Sequence, residues 1–134
     1  MAGASAAEGD DLLERDLLGD DPVAAYGKLN DDATAAVREG VDPEATFRFN
    51  YGDYPAKEGF AHLALYRACQ AWLIAKLLSI PFHFTPELIA GMNEHVVPDA
   101  ELWRSFGVLP PVIDPPEGAD DETQLLCVLG YWVP

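Results

Sequence analysis

The rhythm of apolar positions changes along this chain, and each change marks an element. From Pro22 onward, Val23, Tyr26, Leu29, Ala33, Ala36 and Val37 recur at three- and four-residue intervals, the single stripe of an amphipathic helix. Asp21 in front of it can accept a bond from the free first-turn amides, Pro22 suits the first helical position, and Gly40 is a natural stop. Gly27 inside the helix costs about 1 kcal/mol against alanine. Thr46-Phe47-Arg48-Phe49 then alternates in an extended way. A single extended segment forms no sheet, so it is expected to be a crossover strap that packs Phe47 and Phe49 on helices. Gly52-Asp53-Tyr54-Pro55 is expected to turn the chain into the next helix. Residues 56–79, AKEGFAHLALYRACQAWLIAKLLS, are apolar or small on almost every side. A helix of that kind must be buried, in protein or in membrane. Lys57, Glu58, His62, Arg67 and Lys76 interrupt it, and no run approaches the roughly 20 apolar residues of a membrane span. It would be about 36 Å long. It is the central helix on this reading.

Ile80-Pro81 ends that helix, and Thr85-Pro86-Glu87 opens another with a cap, a proline and an early acid. Leu88, Ile89, Met92 and Val96 supply its buried side before Pro98. Asp99 is expected to cap a short turn that contains Leu102, Trp103 and Phe106. Residues 108–117, VLPPVIDPPE, read as a proline-rich extended strap. Asp120 or Asp121 caps a last short helix through Leu125, Leu126, Val128 and Leu129, closed by Gly130. At the front, residues 1–7 are small and polar and expected to be disordered. Residues 10–21, DDLLERDLLGDD, are expected to make a turn or two of helix at most. The predicted fold is all-α: three main helices and a proline-rich C-terminal strap. A single helical domain covers residues 16–134, behind a loosely ordered acidic stretch at 1–15.

The charge narrows the partners. Eight basic against 23 acidic residues give a net charge of −15. A surface of that sign repels nucleic acid and anionic membrane alike, so neither is expected as a partner. Cys69 and Cys127 lie in apolar surroundings without metal-type spacing, and they read as buried thiols. MAGASAAEGDD has neither the basic region nor the apolar run of a signal peptide, which makes a cytoplasmic location the expectation. Many Ala, Asp and Gly residues beside few lysines suggest a GC-rich bacterial genome.

The order of short motifs then points to a family. Leu18-Gly19-Asp20-Asp21-Pro22 comes first, followed by Tyr51-Gly52-Asp53-Tyr54-Pro55 and Gln70-Ala71-Trp72-Leu73-Ile74-Ala75. Phe106-Gly107 through Pro115 and Gln124 through Gly130 follow. In this order and spacing, over residues 16–130, the chain resembles the DinB-like superfamily, in the actinobacterial group around mycothiol-dependent maleylpyruvate isomerase. The resemblance implies a helical bundle, and the chain would be a degenerate form of it. It also implies a divalent metal held by a carboxylate and a histidine four residues apart on the third helix, with a histidine from the first. Positions four apart share a helical face and can converge on one ion. Here those positions are Tyr66 and Gln70, poor metal ligands, and no counterpart of the first helix lies upstream of Asp16. The metal site is expected to be lost, with no cofactor.

His62, Tyr66 and Gln70 remain as a polar row at four-residue spacing on the central helix, beside Trp72, which matches the family's tryptophan near the metal histidine. They are the candidate ligand-binding residues, and His62 is the one candidate general acid or base near neutral pH. The alternative is a set of core side chains that satisfy one another's hydrogen bonds. His83 and His95 read as structural, and neither Ser79 nor Ser105 has the context of a nucleophile elbow. Three function classes follow: a metal-free small-molecule-binding or protein-interaction domain, a metal-independent isomerase or cyclase of secondary metabolism, and a divergent mycothiol-dependent transferase. Leu65, Trp72, Ile74 and Leu78 put apolar groups on both sides of the central helix, and one side lacks a partner. A homodimer is the expected closure.

Overall fold

The capping signals of the sequence govern where the helices start. A computed structural model describes residues 5–49 and 52–133. It divides into two units, Met1–Gly59 and Phe60–Pro134. Of residues 1–7, expected to be disordered, 1–4 lie outside the described residues, as does the Tyr51 of the motif, while residues 5–7 are instead the cap and first turn of a helix.

In the first unit, α1 (Ala6–Glu14) starts from a capping box: the Glu8 amide donates to Ser5 Oγ at 3.3 Å, and the Ser5 amide donates to Glu8 Oε2 at 2.8 Å. Helix α2 (Pro22–Glu39) begins as its sequence predicts, with the Ala24 amide 3.0 Å from Asp21 Oδ1, and it stops at Gly40. Two strands follow, β1 (Thr46–Phe49) and β2 (Gly52–Pro55), paired antiparallel with Phe47 opposite Tyr54 and Arg48 opposite Asp53.

This hairpin overturns the all-α expectation, and with it the bundle of three main helices. The architecture is mostly helical with a small two-stranded sheet. The strand at Thr46–Phe49 does have a partner, in the segment that reads locally as a turn. An ion pair from Arg48 Nη1 to Asp53 Oδ2 at 2.7 Å links the strands, and the Phe49 and Tyr54 rings meet edge to face at 6.0 Å. The described residues hold six helices, the three expected as main ones and three short ones.

The hairpin in turn seats α3 (Ala56–Leu78), the central helix, whose bounds agree with the sequence reading to one residue. The carbonyls of Ala45 and Pro43 accept the first two amides of α3 at 2.7 and 3.1 Å, so the loop before β1 caps the helix. Phe47 lies against Gly59, where an added Cβ would come within 2.2 Å of its ring. The end of α3 differs from expectation. Ser79 takes a left-handed conformation (φ 55°), its amide donates to Lys76 O, and the Ile80 amide donates back to Ala75 O. That is a Schellman stop with serine in the place usually held by glycine.

The second unit gathers one core. From α3 come Leu65, Ala68, Cys69 and Trp72; α4 (Pro86–His95), capped by Thr85, adds Met92. A 3-10 turn (Val97–Asp99) leads into α5 (Ala100–Ser105). Asp99 makes no side-chain capping bond there, against expectation, because the 3-10 turn already runs into the helix. Helix α6 (Asp121–Leu129), capped by Asp120, contributes Leu125, Leu126 and Leu129, each at most 2% exposed.

The proline-rich strap lies along α6. The Ile113 amide donates to Cys127 O at 3.0 Å, and Gly130, left-handed at φ 79°, passes so near that an added Cβ would sit 2.6 Å from Pro111 O. Arg104 fastens this end: Nε donates to Pro110 O at 3.0 Å and Nη2 to Val128 O at 2.6 Å. No helix among the described residues is long and apolar enough to cross a membrane.

Candidate functional site

The polar row on α3 does not form one site with Trp72. The four-residue spacing keeps His62, Tyr66 and Gln70 on one side of the helix, where Tyr66 is 66% exposed and the other two are half-buried. The His62 ring stands edge-on to Trp103 at 4.8 Å, which makes it part of the packing between α3 and α5. Trp72 faces the core and is 5% exposed. Its indole N–H donates to Glu122 Oε1 at 3.1 Å, a satisfied core bond.

Glu122 is the polar centre that the sequence reading missed. Its side chain is half-buried in the first turn of α6. It accepts from Trp72 through one oxygen and from the Phe84 amide through the other, at 2.7 Å. The exposed His83 ring lies 3.4 Å from the same carboxylate. In sequence Glu122 looks like one more acid favouring a helix N-terminus. Nothing local marks its reach across 50 residues to Trp72.

The thiols are unsuited to nucleophilic work. Burial pushes Cys69 up to about 12. Cys127 is raised by burial and then by the Asp114 charge. A thiol held protonated is inert at neutral pH. Among the described residues no group of three or more His, Cys, Asp or Glu is placed to hold a metal ion. A depression of about 420 Å³ runs beside Asp31, Ala35 and Glu39, but residues of α2 alone line it, so it encloses nothing.

What the surface does offer is apolar. Helix α2 has no buried residue, and its stripe is open: Val23 is 82% exposed, Tyr26 62% and Val37 50%. On α3, Leu77 is 83% exposed and Leu78 63%, and they share the side of the helix that carries Tyr66 and Ile74. Amphipathic periodicity marks such stripes in sequence, but it does not tell a covered stripe from an open one. Compared with protein families, curated proteins and solved structures, the chain finds no match in any of the three.

Proposed function

We propose that this chain is a metal-free protein-interaction domain, a relative of the mycothiol-dependent DinB-like enzymes that acts by docking rather than by thiol transfer. The observation that carries this reading is α2, an 18-residue helix with a complete apolar stripe and no buried side chain. Isolated helices near that length are marginal in water, and helices in proteins draw most of their stability from packing an apolar face. A partner that covers Val23, Tyr26 and Val37 supplies that packing. Tyr66 and Gln70, standing where the family's metal ligands would be, support the metal-free part.

A photo-crosslinking side chain in place of Val23, expressed in cells, tests the docking. The expected result is a covalent adduct with another polypeptide, and a chain that stays free after irradiation overturns the reading. Elemental analysis of protein purified without chelator tests the rest. A stoichiometric zinc, nickel or similar ion overturns the metal-free assignment.

A further inference from the structure

We infer that the proline-rich strap is a second docking surface, independent of α2, and that it fits an aromatic-lined groove with a basic rim on a partner protein. The prolines at 110, 111, 115 and 116 each hold φ at about −65°, and each pushes the residue before it toward extended backbone. Residues 110–116 form neither helix nor strand, and the positive-φ glycines Gly107 and Gly118 stand outside the strap on either side. Backbone of that kind favours the polyproline II helix, three residues to the turn. The burial along the strap has the same period. Pro110 and Ile113 are half-buried and bonded to the body of the unit, Arg104 Nε donating to Pro110 O and the Ile113 amide to Cys127 O. Pro111 and Asp114 make one exposed row, and Val112, 51% exposed, makes another with Pro115.

Two exposed rows of such a helix are what a groove walled by flat aromatic rings takes up. Pro111-Val112 and Asp114-Pro115 stand one turn apart, about 9 Å at 3.1 Å per residue, and each pair offers a ridge to one slot between rings. Prolines and the bonds to the body have already ordered the segment, so little conformational entropy is left to lose on docking. Charge supplies the rim. Residues 108–123 hold Asp114, Glu117, Asp120, Asp121 and Glu122 and no Lys or Arg. Glu122 is turned to Trp72 and Phe84, while the other four are exposed. Lysines or arginines along the edge of the groove complement them.

The test places a photo-crosslinking side chain at Val112 of the full chain, in cells, and maps the attachment site by mass spectrometry. The expected adduct joins Val112 to a partner within a few residues of a Trp or Tyr, on a surface that carries Lys or Arg. Asp114→Lys and Pro115→Ala change exposed positions only, so the near-UV tryptophan signal should be retained in both. Each is expected to lower the yield of the adduct about three- to tenfold. The same crosslinking group at Leu77, 83% exposed on α3, controls for mere stickiness and is expected not to give this adduct. No adduct, an attachment away from aromatic and basic side chains, a yield indifferent to both substitutions, or the same adduct from Leu77 overturns the inference. Val23→Asp should leave the Val112 adduct unchanged, so the strap and the α2 reading stand or fall separately.

Discussion

Glu122 places a carboxylate against two N–H donors, taking the Trp72 indole on one oxygen and the Phe84 amide on the other. Glutamine in its place offers one carbonyl oxygen for both. Glu122→Gln should therefore cost about 1–3 kcal/mol, the penalty of a half-buried donor left unpaired. A urea titration followed by tryptophan fluorescence reads it directly, and an unchanged midpoint means the clasp is dispensable. Cys69 makes a second prediction, in pH. Burial holds its thiol at about 12 against an ordinary 9.0. The folded chain thus keeps a proton that the unfolded chain gives up. This contribution to stability is whole below pH 9.0 and declines as the pH rises toward about 12. The slope of unfolding free energy against pH in that window should flatten in Cys69→Ala, whatever the cost of the cavity. Equal slopes in both proteins would mean the thiol ionises in the fold.

At the scale of elements, what could be read from the sequence was what local chemistry decides. The bounds of α2 follow from Asp21, Pro22 and Gly40, and α6 follows from Asp120 and Gly130, because caps act within one helical turn. The hairpin was hidden because β2 is Gly-Asp-Tyr-Pro, three residues that favour turns and one aromatic. Only its pairing with β1 makes it a strand. The tie from Glu122 to Trp72 was hidden for a similar reason, since no local pattern encodes a contact fifty residues away. The candidate row fared differently: spacing put His62, Tyr66 and Gln70 on one side and, by the same periodicity, puts Trp72, two residues past Gln70, on the other, but it could not show that His62 packs on Trp103. Gly59 gives this scale its test. Alanine is the better helix former by about 1 kcal/mol. Here its methyl would meet the Phe47 ring at 2.2 Å. Gly59→Ala should accordingly destabilise the protein, by about 1–3 kcal/mol net of the propensity gain. A higher melting temperature would show that the hairpin does not hold Phe47 against the helix.

Across the whole molecule, the core of the second unit is assembled from segments far apart in the chain. Leu65 and Cys69 of α3 meet Leu125, Leu126 and Leu129 of α6, and the Trp72–Glu122 bond alone spans 50 residues. During translation that distance is also a time. At about 5–20 residues per second, roughly 3–10 s separate the synthesis of Trp72 from that of Glu122. Through that interval the inward side of α3 has no α6 to cover it, and the outward side, with Leu77 and Leu78, is open in the finished fold as well. The nascent chain therefore presents a helix sticky on every side for seconds. A holdase at the ribosome exit would find its longest-lived target there.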